Sequence, residues 1–322
     1  MNVARSDPAR TLTLGADLSV CRLGYGAMHL TGPGVWGPPT DPEEAIRVLR
    51  RAVDLGVNFI DTADSYGPDF NEQIIRRALH PYPAHLVIAT KGGLLRSGPQ
   101  DWTSVEEAYI VPLGRPAYLR QQVEMSLRNL GVERIDLYQL HRIDPAVPLA
   151  DQIGELVRLQ EEGKIHHIGL SGQPEVTVDQ LIQAGELASI VAVENLYNIA
   201  DQAGEDVLRY SEEHDIAFIP WFPLGHGDLT GPDSVLASLA GQYGATPAQL
   251  ALAWLLHHSP SILCIPGTSS VTHLEENIRA AELKLDDRDM AALADAAARS
   301  TTPPRRPSPA RSAPLEARPE KR

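Results

Sequence analysis

The sequence predicts an α/β fold in which eight parallel strands, each followed by a helix, close into a (β/α)8 barrel. Three observations carry this prediction: short apolar runs alternate with amphipathic stretches, Gly and Pro separate them regularly, and the apolar runs number eight. The candidate strands are Cys21–Met28, Asn58–Asp64, Leu86–Lys91, Ile135–His141, His166–Ser171, Ile190–Asn195, Ala217–Trp221 and Leu263–Pro266.

Helix boundary signals support the alternation. Thr40-Asp41-Pro42 supplies an N-cap residue and an early proline, and Gly56 ends the helix that follows. Further amphipathic helices are predicted over Pro116–Leu130, Leu149–Glu162, Val178–Leu187, Gly204–His214, Pro247–His257 and His273–Leu283.

Two segments fall outside the repeat. Thr11–Leu14 and Leu18–Val20 flank Gly15-Ala16-Asp17, which predicts a short N-terminal β-hairpin that plugs the base of the barrel. Residues 301–322 are rich in Pro, Arg, Ser and Ala and contain almost no large apolar side chains, so we expect a disordered tail. Residues 1–300 then form a single barrel domain.

The composition excludes several classes of protein. A chain of 322 residues with 43% hydrophobic residues can bury a large core, and a net charge of -14 argues against an extended nucleic-acid or anionic-membrane surface. Neither a signal peptide nor a membrane-spanning run is evident, so we expect a cytoplasmic location. Cys21 and Cys264 are the only cysteines; we interpret them as core residues rather than a redox pair.

Four chemically distinct side chains lie at or just after predicted strand ends. Asp61 and Tyr66 follow Asn58-Phe59-Ile60, Lys91 ends the run from Leu86, and His141 ends the run from Ile135. Because the carboxyl ends of barrel strands converge on one mouth, we expect an assembled site.

This set suits acid-base chemistry at a carbonyl or an alcohol. A phenol ionises near pH ~10, and a neighbouring ammonium favours its ionised form. We therefore expect Lys91 to lower the pKa of Tyr66 and Asp61 to orient Lys91. His141 donates a hydrogen bond to a substrate oxygen or poises the phenol. None of these groups carries a hydride, so a cofactor is required.

Several motifs together resemble the aldo-keto reductases: Gly24-Tyr25-Gly26, the run from Asp61 to Gly67, Lys91, and the run from Asp136 to His141. The resemblance spans about residues 11 to 298. It implies a TIM barrel that binds NADPH across its mouth and reduces aldehydes or ketones. By this resemblance Tyr66 is the proton donor, Lys91 and Asp61 tune it, and His141 orients the carbonyl.

The resemblance also implies where the nicotinamide carboxamide binds. Ser171 matches a serine at a strand end that contacts it, but Gly172 replaces the usual Asn and Glu194 stands where a Gln is common. An ionised glutamate only accepts hydrogen bonds, so nicotinamide binding is weakened or reoriented. Alternatively, Glu194 is protonated and still donates, or it contacts the substrate.

The rest of the cofactor site is assigned in the same way. Trp221 resembles the aromatic residue that stacks on the nicotinamide, with Pro223, Leu224 and Gly225 following it. The segment after the last strand resembles the part that receives the adenosine 2'-phosphate and the adenine, and hydroxyls or amides at a helix start can bind phosphate. NADPH is the expected cofactor, with NADH as an alternative. The residues assigned there are Gly267, Thr268, Ser269, Ser270, His273, Glu276 and Asn277.

The substrate side is less specified. Met28, His29 and Trp36 follow the first strand and either line the pocket or pack in the core. The long connection from Gly92 to Arg115, which contains Trp102, forms a lid over the mouth or a peripheral insertion. The pairs His166-His167 and His257-His258 are not expected to form metal sites, because adjacent side chains point apart on a strand or diverge around a helix.

The expected partner is a small-molecule carbonyl compound, with no nucleic acid and no membrane, and the oligomeric state stays open. Two other functions remain as alternatives. One is a nucleotide-sensing regulatory barrel with little turnover, which the departures at Gly172 and Glu194 allow. The other is a barrel that catalyses non-redox dehydration or isomerisation.

Overall fold

The fold is described from a computed structural model that covers residues 11–100, 110–173, 175–225, 229–231 and 234–298. The predicted tail, residues 301–322, and the candidate substrate residue Trp102 lie outside this set.

A parallel sheet of seven strands curls around the core in the spatial order β11-β10-β9-β8-β5-β4-β3. Within this sheet, strands that follow one another along the chain lie side by side, as expected for repeated strand-helix units. The strands of this sheet are β3 (Tyr25–Gly26), β4 (Phe59–Asp61), β5 (Val87–Gly92), β8 (Ile135–Leu140), β9 (Ile165–Ser171), β10 (Ile190–Leu196) and β11 (Ala217–Trp221).

The eighth strand position is occupied by residues 262–264, which bridge the two edges of this sheet. Cys264 forms a parallel bridge with Leu23 before β3, and Ile262 forms one with Phe218 in β11. The predicted strand Leu263–Pro266 is therefore present only as isolated bridges. One reason is that Pro266 has no N–H to donate, although its carbonyl accepts from the Gly26 amide at 3.4 Å. The (β/α)8 barrel predicted from the sequence is confirmed.

Helices cover the outside of the sheet. In α1 the Asp41 side chain accepts a hydrogen bond from the Glu44 amide and Pro42 occupies the first turn, so the predicted N-terminal signal is confirmed. The helices Phe70–Leu79, Val235–Ala240 and Asp287–Ala298 were not predicted. The helices are α1 (Pro42–Asp54), α2 (Phe70–Leu79), α3 (Pro116–Leu130), α4 (Leu149–Glu161), α5 (Val178–Gly185), α6 (Glu205–Glu213), α7 (Val235–Ala240), α8 (Pro247–His258), α9 (Val271–Arg279) and α10 (Asp287–Ala298).

The predicted N-terminal hairpin is confirmed. β1 (Thr11–Leu14) pairs antiparallel with β2 (Leu18–Cys21), and Leu14 and Val20 are fully buried. Both side chains join the apolar interior of the barrel. The hairpin therefore plugs the base, opposite the carboxyl ends of the strands.

The first predicted strand is shorter than expected. Of Cys21–Met28, only Tyr25 and Gly26 belong to the parallel sheet; Cys21 ends the hairpin, and Ala27–His29 form a turn of 3-10 helix. Cys264 is fully buried and Cys21 is partly buried, and both are free thiols. No helix in the described part of the chain is long and apolar enough to cross a membrane.

The connection from Gly92 to Arg115 contains a second hairpin. β6 (Leu94–Arg96) pairs antiparallel with β7 (Ile110–Pro112). This hairpin starts directly after β5, at the carboxyl end of the barrel, so it stands beside the mouth.

Candidate active site

The barrel brings the four predicted site residues together. Asp61 ends β4, Lys91 lies near the end of β5, and His141 directly follows β8; these three strands are neighbours in the sheet. Tyr66 lies in the connection between β4 and α2. The side chain of Lys91 is completely buried, and that of Asp61 is nearly so.

Lys91 is the centre of a buried ionic network. Its ammonium contacts the Asp61 carboxylate closely, donates to the Thr62 carbonyl at 3.2 Å, and lies 3.3 Å from Glu194 Oε2. Burial acts to lower the pKa of Lys91, but the charges of Asp61 and Glu194 outweigh it, and the net pKa is raised. Lys91 therefore keeps its proton and its charge.

Gln139 bridges the side chains of Asp61 and Glu194. Its side-chain nitrogen donates to Asp61 Oδ1 at 3.3 Å and to Glu194 Oε2 at 3.1 Å. Gln139 is fully buried in β8, two residues before His141, so it faces the barrel interior. The sequence reasoning missed this residue, although the alternation of side chains along a strand was a signal that could have found it.

Tyr66 presents its hydroxyl to Lys91. The ammonium donates to the phenol oxygen at 3.5 Å and lies 5.3 Å from the ring centroid. Burial raises the pKa of Tyr66 more than Lys91 lowers it, and the negative charges of Asp61 and Glu194 add to the increase. Lys91 thus acts on the pKa of Tyr66 in the expected direction, but burial outweighs it, and the phenol is protonated at neutral pH.

His141 lies edge-on to Tyr66, with ring centroids 5.9 Å apart and an interplanar angle of 84°. Burial and the positive charges of Lys91, Arg142 and Arg96 hold the pKa of His141 well below its usual value, so the imidazole is neutral. The Ser65 hydroxyl is 3.3 Å from Nδ1. When Ser65 donates this hydrogen bond, the ring proton resides on Nε2, which is then a hydrogen-bond donor.

Glu194 is a buried acid that resists ionisation. Burial, followed by the negative charge of Asp61, raises the pKa of Glu194 to about 8, despite the contacts with Lys91 and Gln139. At neutral pH the side chain is therefore predominantly neutral. Because Oε2 accepts from both neighbours, the proton belongs on Oε1, which makes Glu194 a donor as well as an acceptor.

A deep cavity lies above this network, at the carboxyl ends of the strands. It is lined by many of the residues assigned from the sequence: Met28, Asp61, Tyr66, His141, Ser171, Gly172, Glu194, Trp221, Pro223, Leu224, Gly225 and Gly267. The Trp221 indole nitrogen donates to the Gly172 carbonyl at 3.2 Å, which fixes one edge of its ring against β9. One cavity thus joins the acid-base residues to the proposed nicotinamide residues.

The sequence missed part of the cavity wall. Arg142 directly follows His141, and Gln173 directly follows Gly172, so their proximity to assigned residues was a usable signal. No comparable signal pointed to the residues of the second hairpin, because their approach to the cavity depends on the path of the long connection Gly92–Arg115. His29, which the sequence had suggested for the pocket, does line the cavity. The additional lining residues are Gly26, Val35, Ser65, Leu94, Arg96, Gln100, Ile110, Arg142, Gln173, Phe222, Ile265 and Pro266.

The residues assigned to the adenosine end lie after Gly267, at and around the start of α9. Ser270 caps this helix by accepting from the His273 amide, and the exposed side chains of Ser269 and His273 stand beside the cap. The Thr268 carbonyl accepts from the Tyr25 hydroxyl at 2.5 Å. Glu276 and the buried Asn277 follow within α9. These residues continue from the cavity wall rather than line the cavity.

Two of the substrate residues proposed from the sequence, Met28 and Trp36, differ from each other in their position relative to the cavity. Met28 lines the cavity. Trp36 instead lies behind Arg96, whose guanidinium carbon is 5.7 Å from the indole ring centroid. Leu94, Arg96, Gln100 and Ile110 bring the connection Gly92–Arg115 into the cavity wall, so its described part lies at the mouth rather than at the periphery.

Comparisons with known proteins agree with this architecture. The model of the aldo/keto reductase family matches residues 22–298. The chain is 48% identical over 285 residues to an uncharacterized oxidoreductase of Schizosaccharomyces pombe. The aligned part covers 88% of this chain and 89% of that protein. It is 45% identical over 291 residues to pyridoxine 4-dehydrogenase of Escherichia coli, and the aligned part covers 88% of this chain and 97% of that protein.

A solved structure has the same fold. An aldo-keto reductase from Klebsiella pneumoniae in complex with NADPH superposes with a TM-score of 0.74 at 24% identity, covering 94% of this chain and 98% of that one. The barrel, the strand-end site and the family match over most of the chain together lead to one conclusion: this protein is an oxidoreductase of the aldo/keto reductase family.

Proposed function

We propose that this protein is an NADP(H)-dependent reductase that converts an aldehyde or ketone into an alcohol, with Tyr66 as the general acid. The observation that carries the proposal is the position of the Tyr66 hydroxyl. It lies 3.5 Å from a buried ammonium that Asp61 and Glu194 hold in place, inside a cavity that His141 also lines.

The cavity suits a nicotinamide nucleotide. The side-chain nitrogen of Gln173 is buried and donates no hydrogen bond within the described residues, so it offers a donor to a ligand. Gly267 packs directly against the first strand, because a Cβ there would overlap His29 and the Gly26 carbonyl, and its backbone lines the cavity. Ser171, Glu194 and Trp221 would hold the nicotinamide, and Gly225 and Gly267 would lie along the phosphates.

A nicotinamide cofactor held by these residues would supply the hydride for the carbonyl carbon. Tyr66 supplies the proton to the carbonyl oxygen, so the carbonyl becomes an alcohol and a phenolate remains. Lys91 stabilises that phenolate because its charge is already present and lies within the barrel. Solvent then returns the proton to Tyr66.

His141 orients the carbonyl. As a neutral imidazole it donates from Nε2 to the carbonyl oxygen while Tyr66 approaches the same atom. A neutral donor of this kind polarises the carbonyl without competing with Tyr66 for the role of acid. Asp61 positions Lys91 through a direct ion pair, and Gln139 in turn holds Asp61 by donating to its Oδ1.

Pyridoxal is the first substrate to test, because a relative with 45% identity is a pyridoxine 4-dehydrogenase. The reaction in the reducing direction would convert the aldehyde at the 4-position of the pyridine ring into an alcohol. A panel of aromatic and aliphatic aldehydes completes the assay, since the walls from β6 and β7 contribute both apolar and cationic side chains.

The test is the substitution Tyr66→Phe, assayed by NADPH oxidation against this panel. We expect kcat to fall by about 10²- to 10⁴-fold, with NADPH affinity retained, because only the proton donor is removed. Tyr243→Phe is the matched control: this phenol donates to Asp289 at 2.9 Å, away from the cavity, and its loss should leave kcat unchanged.

Two results would overturn the proposal. Unchanged turnover in Tyr66→Phe would remove Tyr66 from the role of acid. NADPH binding to the native protein without turnover of any aldehyde would indicate a nucleotide-sensing barrel instead, and product formation without net NADPH consumption would indicate a non-redox reaction.

A further inference from the structure

A second cluster of metal-ligating side chains lies at the base of the barrel, outside the site described above. Asp17 in the turn of the N-terminal hairpin contacts two consecutive histidines near the start of β9. Its Oδ2 is 2.7 Å from His166 Nε2, and its Oδ1 is 2.8 Å from His167 Nε2. The two imidazole rings are 4.2 Å apart. The expectation that these adjacent side chains point apart is therefore wrong.

We propose that Asp17, His166 and His167 form a binding site for a divalent transition metal. Two imidazole nitrogens and one carboxylate are ligands that Zn²⁺, Ni²⁺ and Cu²⁺ accept. Each residue offers one ligand atom that lies within 4.8 Å of the ligand atoms of the other two. Among the residues that the structure describes, these three make up the group of His, Cys, Asp and Glu side chains found in such an arrangement.

The present spacing is compatible with a metal after a small movement. Metal–ligand distances of about 2.0 to 2.2 Å place neighbouring ligands roughly 3.3 Å apart in a tetrahedral site, so Asp17 must withdraw by about half an ångström. Its side chain is 53% exposed and lies in a turn, and it can make that movement. The histidines, at 24% and 15% exposure, form the more rigid side of the site.

The surrounding sequence favours this arrangement. Gly15 has a φ of +58°, and a Cβ at this position would overlap the His167 ring, so the glycine lets the ring lie against the hairpin turn. The Gln160 side chain donates to the His166 carbonyl at 2.6 Å and so fixes the backbone at His166. Two separate parts of the chain thus converge on one point.

A metal at this point would join the hairpin to β9. The three side chains leave coordination positions for water, so the site suits reversible binding rather than a closed structural centre. Because the hairpin plugs the base of the barrel, bound metal should stabilise the fold. It should leave the reaction at the opposite end unchanged.

The test uses the untagged full-length protein, stripped with EDTA and titrated with Zn²⁺, Ni²⁺, Cu²⁺ and Mg²⁺ by calorimetry. We expect one equivalent of Zn²⁺ to bind, Cu²⁺ to bind more tightly than Ni²⁺, and Mg²⁺ not to bind, since it prefers oxygen ligands. Excess Zn²⁺ should raise the midpoint of thermal unfolding by roughly 2 to 4 °C.

Variants locate the site. Asp17→Asn and His167→Gln should each weaken Zn²⁺ binding by at least about 10-fold, whereas His85→Gln, which removes an exposed imidazole elsewhere, should not change it. The native protein provides a second measurement: lowering the pH from 7.5 to 5.5 should weaken binding, because metal-bound imidazole must be unprotonated. Absence of one-to-one binding, or equal affinity in the native protein and both site variants, would overturn the proposal.

Discussion

The two ends of the barrel hold similar groups in opposite environments. At the mouth, Glu194 is enclosed beside Lys91, and burial raises the pKa of its carboxyl to about 8. At the base, Asp17 stands half exposed beside two imidazoles, and their hydrogen bonds lower its pKa. Both carboxyls have nitrogen partners within hydrogen-bonding distance. At the mouth, burial and the charge of Asp61 outweigh the nitrogen partners of Glu194, whereas at the base the hydrogen bonds to Asp17 prevail because little burial opposes them.

The consequence for function follows from the same difference. The mouth holds charged groups in a water-poor space, where each charge acts strongly on its neighbours and removal of one leaves the others uncompensated. At the base, water screens the same interactions, so they contribute little unless a metal joins them. The comparison therefore predicts large effects at the mouth and small effects at the base.

The largest effect is expected for Lys91→Met. The apolar side chain leaves the Asp61 carboxylate buried without its cation, so the free energy of unfolding should fall by about 3 to 5 kcal/mol. Carbonyl reduction should be lost as well, because no charge remains to stabilise the Tyr66 phenolate. Urea unfolding and NADPH oxidation measure the two effects.

The double variant Lys91→Met, Asp61→Asn separates stability from chemistry. Neutralising Asp61 removes the uncompensated charge, so most of the lost stability should return while activity stays absent. If activity returned together with stability, Lys91 would only maintain the fold, and its role in proton transfer would be wrong.

A smaller, pH-dependent effect is expected for Glu194→Gln. The pKa of about 8 predicts that native Glu194 is a neutral donor at pH 6.5 and an ionised acceptor at pH 9. Loss of one hydrogen bond to the nicotinamide carboxamide corresponds to about 2- to 10-fold in affinity. The native Kd for NADPH should therefore rise by this factor between the two pH values. The Kd of the variant should change less.

Stability provides an independent measurement of the same carboxyl. Its pKa is raised in the folded protein above the ordinary value of 4.5, so the unfolded chain loses this proton first and stability falls as the pH rises from 4.5 toward 8. Glu194→Gln should remove that loss and stabilise the protein by roughly 1 to 3 kcal/mol at pH 8. Parallel pH profiles of native protein and variant would contradict a raised pKa.

The sequence was sufficient for the barrel and for the position of the main site residues, because both depend on local patterns. Asp61, Lys91 and His141 stand at the ends of apolar runs, and parallel strands bring such ends together. Residue type and spacing also placed the plug, since Gly15-Ala16-Asp17 separates two strand-like runs.

Properties that depend on the whole fold could not be predicted in this way. The raised pKa of Tyr66 results from burial in the completed barrel, which no local pattern reports. Alternation along a strand predicted that His166 and His167 diverge, but both lie at the amino end of β9, where the hairpin turn offers Asp17 to both rings. Long-range contacts between separate segments overrode the local rule in each case.

The smallest effect is expected for Asp17→Asn in the absence of metal. The pKa of Asp17 is lowered by its hydrogen bonds, so its stabilising contribution is present above the ordinary value of 3.8 and disappears as the pH falls below it. After discounting for solvent screening, the variant should lose about 0.2 to 1 kcal/mol at pH 7, and 1 M salt should reduce that difference. Urea unfolding in EDTA measures it. A loss above 2 kcal/mol would mean that the base is as shielded from water as the mouth, and the contrast between the two ends would then fail.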